Sequence, residues 1–409
     1  MPRAGRFSLL AVLFCAYLLC YTDRMAIATA IPFIAEDFRL SPLAMGGVLS
    51  AFFVGYAAMQ IPGGLLADKF GARRVMTASI AAWSVFTALT GTATSLPVLL
   101  GIRVLFGMAE GPCPPSASKA VALGFPQNEV GRANGIQLAS VNIGAAIAPL
   151  IVAPLILTWG WRWVFFSLLV PGLLLALIVW RFLRVSSDCV ENAPRPARTE
   201  SKRIHLRQAV KMPAVFWCCV TVFFANMASW GLMNWLPTYL LQARGFSLVR
   251  TGVFVAFPFL AGAVGYFLGG YLSDKYFRDR RDIPILVGLL ISGALTYLAA
   301  VAPTGEWAIA ALVVVFLCLF IALGGIFTLP LVLVPSEAVG GVFGIVNTVA
   351  QIAAFLSPLL IGFLLNVTDK NFTWVFYWIV GLFVVGSCSA TRIRILALRG
   401  ERGAVRRLS

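Results

Sequence analysis

Charge is scarce in this chain. Only 12% of its 409 residues are Asp, Glu, Lys or Arg, about half the roughly 25% of a soluble globular domain. One histidine, His205, stands in a polar stretch, and the eight cysteines show no C-x-x-C spacing. There is no G-x-S-x-G run either. These absences argue against a metal centre, a disulfide framework and a hydrolytic enzyme, so no catalytic residue, metal or cofactor is expected. The cysteines read as small apolar packers. The polar–apolar alternation of a membrane β-barrel is missing. So is the small-residue exit of a cleaved signal, and the first apolar stretch is expected to be retained.

What fills the chain is apolar: 60% of residues are hydrophobic. Twelve runs approach the ~20 residues an α-helix needs to cross a bilayer. They cover residues 7–35, 43–67, 74–95, 97–124, 132–158, 162–183, 213–240, 248–272, 283–303, 306–333, 338–366 and 371–392. The expected fold class is an all-α membrane protein of twelve transmembrane helices. The net charge of +16 does not point to nucleic acid. With both termini placed in the cytoplasm, alternate connections collect most of the Lys and Arg, which is the positive-inside pattern. A basic inner surface also attracts anionic lipid.

The chain repeats itself. Gly63-Gly64-Leu65-Leu66-Ala67-Asp68-Lys69 matches Gly269-Gly270-Tyr271-Leu272-Ser273-Asp274-Lys275, and Gly46 matches Gly252. Later in each half, Gly135 and Pro149 match Gly344 and Pro358. The expected organisation is a six-helix bundle over 1–183, a polar cytoplasmic linker over 184–211 carrying His205, and a second six-helix bundle over 212–409. A unit used twice places a ligand site near mid-membrane between the copies.

Four ionisable residues interrupt the apolar runs. Asp23 and Arg24 lie in the first span, Arg103 and Glu110 in the fourth. Each costs roughly 2.5–3.5 kcal/mol at a bilayer centre, so such residues mark a pathway or a binding site. The repeat supplies a control. The matching positions of the second half, around Ala228–Trp230, Ile309–Leu312 and Phe316–Leu319, carry no charge, so the scaffold is buildable without the charges. Arg103 and Glu110 share a helix face about 10 Å apart along the axis, and Asp23 and Arg24 point about 100° apart. Two arginines and two carboxylates sum to zero, and protonating an acid frees a guanidinium for an incoming carboxylate. The alternative is an ion-pair network that merely holds the first and fourth spans together.

Gly64, Asp68, Lys69, Gly71, Arg73 and Arg74 form G-x-x-x-D-[KR]-x-G-x-[KR]-[KR], which resembles the helix 2–3 loop of the major facilitator superfamily. Asp68 is expected to cap a helix end, and the resemblance implies a gating latch that Asp274 and Lys275 repeat. Tyr21-Thr22-Asp23-Arg24 and the run from Arg103 through Glu110 to Pro115 are similar to signatures of the anion:cation symporter family. So are Gly160-Trp161-Arg162-Trp163 and Trp235-Leu236-Pro237-Thr238-Tyr239-Leu240. The likeness spans nearly the whole chain and is nearest the bacterial sugar-acid branch, since the loop between the first two spans is very short.

That resemblance implies a proton-coupled symporter that takes up a small organic anion, such as a hexuronate or aldonate, by alternating access. By position, Arg24 binds substrate carboxylate, Asp23 and Glu110 take protons, and Arg103 is their counter-ion. Tyr21, Tyr56, Asn347, Asn142 and Gln137 are the further substrate contacts; packing is the competing reading for Tyr56, and a helix–helix hydrogen bond for Asn347. The sparse hydroxyls of Phe327-Thr328-Leu329-Pro330 leave a less hydroxylated or aromatic carboxylate open. Anion exchange is the alternative. A drug/proton antiporter fits less well, because Gly144-Ala-Ala-Ile-Ala-Pro149 lacks the G-P-x-x-G-G stretch of such carriers. The expected partners are the carboxylate, protons and the lipid bilayer, the expected site a bacterial inner membrane, and the expected state a monomer.

Overall fold

A computed structural model describes residues 3–126, 129–183, 212–277, 280, 282–327, 329 and 336–408. The expected linker over 184–211, His205, Thr328 and Pro330 lie outside them. Among the described residues there are helices and no strands. In chain order they are α1 (Arg3–Phe38), α2 (Pro42–Phe70), α3 (Ala72–Thr90), α4 (Leu96–Glu110), α5 (Cys113–Gly124), α6 (Val130–Trp159) and α7 (Trp161–Phe182). Then follow α8 (Pro213–Thr238), which runs on as a π-helical turn over Tyr239–Ala243, α9 (Leu248–Lys275), α10 (Asp282–Ala300), α11 (Gly305–Ile326), α12 (Ser336–Val367) and α13 (Phe372–Leu408).

Eleven candidate spans are long and apolar enough to cross a membrane, with α4 and α5 counted together as Leu96–Gly124. The third expected span, α3, is not among them. It is 19 residues long, opens on Ala72-Arg73-Arg74 and carries Thr77, Ser79, Ser84, Thr87 and Thr90. It nonetheless packs along its length on α7 and also meets α4 and α5.

The fourth span is not one helix. It breaks immediately after Glu110, at Gly111-Pro112. The cause is local: Pro112, Pro114 and Pro115 carry no N–H, so the carbonyls of Met108, Glu110 and Gly111 have no donor four residues on. The neighbouring Ala109 carbonyl is taken by the hydroxyl of Ser79 from α3.

The described residues cluster into two compact units. The first draws on Met1–Ala197, Met233–Leu260 and Pro358–Lys370; the second on Arg198–Leu232, Ala261–Ser357 and Asn371–Ser409. In the first unit α1 packs on α6, α2 on α4 and α3 on α7. The α2–α4 contact is close because glycines remove side chains from it. A Cβ at Gly107 would strike the Phe52 carbonyl, and one at Gly55 the Val104 carbonyl. Residues aligned by the repeat also meet in this unit. A Cβ at Gly46 would strike the Pro358 carbonyl, and one at Gly252 would lie 2.8 Å from the Pro149 carbonyl.

In the second unit α10 packs on α11 and α13. Side-chain hydrogen bonds tie its helices, among them Thr221 to Ser389 at 2.7 Å, Ser357 Oγ to the Met227 carbonyl at 2.5 Å and Ser292 Oγ to the Val315 carbonyl at 3.3 Å. Ala228, Ile309, Leu312, Phe316 and Leu319, which stand where the first half carries charge, are all buried.

Candidate functional site

Arg24, Glu110, Asp23 and Arg103 all lie in the first unit and are nearly sealed, at 4%, 0%, 1% and 2% exposure. The break after α4 leaves Glu110 on the last helical residue before Gly111, and the close α2–α4 packing brings Phe52 and Tyr56 against it. Arg24 reaches across from α1 and forms an ion pair with Glu110 through Nη2 and Oε1. Its guanidinium is boxed by rings: Phe52 at 4.4 Å, Tyr21 at 4.5 Å and Tyr56 at 5.0 Å to the centroids. Arg24 also hydrogen-bonds the Tyr21 hydroxyl. On the carboxylate side, Cys20 donates its thiol to the same Oε1 at 3.0 Å, while Oε2 of Glu110 has no partner.

Asp23 faces a different neighbour. Trp83 of α3 donates Nε1 to its Oδ2 at 3.1 Å, and Oδ1 is buried without a partner. The two acids are therefore held separately, Glu110 of α4 by the Arg24 cation of α1 and Asp23 of α1 by the Trp83 indole of α3. α1 itself is seated on α6 where Thr22 donates to the Leu18 carbonyl, 2.8 Å, and reaches the Gly144 carbonyl, 3.2 Å.

The pairing differs from the one expected from sequence. Arg103 was expected to be the counter-ion of the acids. Instead Arg24 occupies Glu110, and Arg103 makes no ion pair among the described residues. Its guanidinium lies 4.7 Å from Phe106 and 5.7 Å from Phe52. Height along the helix explains this: Arg103 lies two turns from Glu110, about 10 Å, beyond direct contact.

Gln137 and Asn142 of α6 are buried, at 4% and 0% exposure. Neither side-chain polar atom of Asn142 has a partner, and Oε1 of Gln137 has none. Most buried polar side-chain atoms in folded proteins are satisfied, so such atoms call for an explanation. Asn347 lies on α12 in the second unit and is half-buried.

The motif from Gly64 to Arg74 takes a form that corrects the capping expectation. Asp68 does not cap α2. The helix ends at Gly71, with φ of 84°, whose N–H bonds the Ala67 carbonyl at 3.0 Å. A carboxylate only accepts, and the groups exposed at a helix C-terminus are carbonyls, which also only accept. Asp68 instead pairs with Lys119 of α5 at 2.8 Å, and the same ammonium donates to the Ala67 carbonyl at 2.9 Å. Lys69 lies over Phe70 and Arg73 over Trp180. In the second copy Lys275 donates to the Tyr271 hydroxyl at 2.6 Å; the side chain of Asp274 is outside the described residues. The Gly160-Trp161-Arg162 motif is a clamp: Trp161 Nε1 and Arg162 Nη1 both donate to Oδ2 of Asp37, at 3.0 and 2.6 Å.

Trp83, Cys20 and Phe52 were missed as site residues. All three are apolar-type side chains in apolar helices, and nothing in their spacing separates them from packing.

A family model described as Major Facilitator Superfamily matches residues 13–358. A probable sulfoacetate transporter of Cupriavidus necator is 33% identical over 381 residues, covering 89% of this chain and 88% of that protein. A hexuronate transporter of Bacillus subtilis is 28% identical over 406 residues, 96% of this chain and 95% of that protein. Among solved structures, a bacterial homologue of the human lysosomal transporter Spinster superposes with a TM-score of 0.78. It is 22% identical and covers 98% of each chain.

Proposed function

Because the chain belongs to the Major Facilitator Superfamily, and so is a membrane transporter rather than an enzyme, we propose that it imports a small organic anion by proton-coupled symport. Its place is a bacterial inner membrane, with both termini in the cytoplasm. The likeness to a probable sulfoacetate transporter and to a hexuronate transporter supports the anionic class of substrate.

The observation that carries this reading is the sealed Arg24–Glu110 pair. While Glu110 is ionised, Arg24 is occupied and no substrate carboxylate competes well for it. Protonation of Glu110 removes its charge and leaves a buried guanidinium uncompensated. That costs about 3–5 kcal/mol until an anion arrives and offers a charge-assisted pair, bidentate if both its oxygens engage. Proton and anion therefore favour each other's binding, by roughly two to three powers of ten. Asp23, held by Trp83 with its other oxygen unpaired, is the second protonation site. Tyr21 and Tyr56 wall the guanidinium, and Asn142 and Gln137 offer unsatisfied amides to substrate oxygens. The Asp68–Lys119 pair belongs to the gate.

The test uses purified protein in liposomes, with counterflow and pH-jump uptake of labelled carboxylates. Accumulation driven by an inward proton gradient supports symport. Counterflow without such accumulation replaces it with exchange, and no flux of any organic anion removes the reading.

A further inference from the structure

Arg103 is a buried cation with no acid in ion-pair contact among the described residues. It is 2% exposed, its Nε makes no hydrogen bond, and its close contacts are the rings of Phe106 and Phe52. Glu110, Arg24 and Asp23 act on it through space but none is in ion-pair contact. Ring contacts offset only about 0.5–2 kcal/mol of its lost hydration, while an unpaired buried charge costs several kcal/mol. The second-half positions matching this helix face are filled by Ile309, Leu312, Phe316 and Leu319, all buried, so packing does not require a guanidinium there.

Phe52 links Arg103 to Arg24. Its ring centroid is 4.4 Å from the Arg24 guanidinium carbon and 5.7 Å from that of Arg103. The two cations are thus no more than about 10 Å apart. An acid group in a hydrogen-bonded pair holds its central atom about 4 Å from the guanidinium carbon. A short molecule with an acid group at each end therefore spans both. Charge agrees with distance. With Glu110 and Asp23 protonated, two positive charges remain; a dianion matches both and a monoanion leaves one bare.

Resting on the transport reading above, we propose that the substrate is a dianion, either a dicarboxylate or a sulfo-carboxylate, with one acid group on Arg24 and the other on Arg103.

Two matched pairs of probes decide it: glucarate with gluconate, and sulfoacetate with acetate. In each pair the first member carries one more acid group. Competition of counterflow in liposomes gives the apparent affinity of each. The expected result is that at least one dianion competes about tenfold or more better than its monoanion. Arg103→Gln then brings that ratio to within about twofold, and Arg103→Lys, which keeps the charge, retains most of it. Equal competition by both members of a pair that is transported overturns this proposal and leaves the transport reading standing. So does an Arg103→Gln protein whose ratio is unchanged. If Arg103→Gln fails to fold, the wild-type and Arg103→Lys ratios still decide. Transport of none of the four overturns this proposal; the transport reading falls only if no organic anion moves at all.

Discussion

In the proposed mechanism Arg24 and Glu110 do opposite jobs with one bond, and single substitutions separate them. Arg24→Ala removes the anion's partner, so binding of transported carboxylates is expected to vanish, measured by ligand-induced thermal shift of purified protein. Glu110→Gln keeps size and polarity but takes up no proton. Counterflow is expected to persist while acid-driven accumulation is lost, read in the same liposomes with and without a pH gradient. Trp83→Phe leaves both Asp23 oxygens unpartnered. A buried acceptor stripped of its donor costs about 1–3 kcal/mol, so the unfolding midpoint in detergent is expected to fall. The four charges were legible in the sequence because a carboxylate or guanidinium among apolar residues has no ordinary reason to be there. Their partners were not. Sequence gives height along a helix and the angle between neighbours, but not how each helix is rotated against the next. That rotation sends Arg24 to Glu110 and Asp23 to Trp83. Trp83 and Cys20 were invisible for a different reason: an indole or thiol in an apolar helix looks the same whether it packs or donates.

At the scale of the helix, the site depends on how closely α2 and α4 approach. Gly107→Ala would drive a methyl into the Phe52 carbonyl, and backbone cannot yield as a side chain does. The expected loss is about 1–3 kcal/mol, with transport impaired because Phe52 and Tyr56 shift. Gly101→Ala, on the same helix with open space around it, is the control. It is expected to be neutral or to gain up to about 1 kcal/mol from helix propensity. Unfolding midpoints of the two variants make the comparison. The spans themselves were readable to within a few residues, since length and hydropathy are set by the bilayer rather than by neighbours. The division of the fourth span was not anticipated, although its cause lies in plain view in Gly111-Pro112-Cys113-Pro114-Pro115. A hydropathy profile averages over a proline cluster, whereas backbone hydrogen bonding does not.

For the molecule as a whole, inward movement of anion and proton together has an external signature. Adding a transported acid to cells in weakly buffered medium is expected to raise the external pH, followed with a glass electrode; a flat trace points to facilitated diffusion or anion exchange. The repeat was legible at this scale, down to the glycines and prolines that meet in pairs, because close backbone contacts restrict residue type. The compact units were not. They cut across the chain's halves, taking Met233–Leu260 and Pro358–Lys370 into the first unit, and no composition shift marks those borders. At 5% and 1% side-chain exposure, the Arg24–Glu110 bond lies out of reach of dissolved ions, which screen exposed charges over about 8 Å at physiological ionic strength. Brine and fresh water are therefore alike to it. Raising potassium chloride tenfold is expected to loosen the outer Arg162–Asp37 clamp, at 41% and 47% exposure, yet leave the carrier's grip on its cargo almost unaltered.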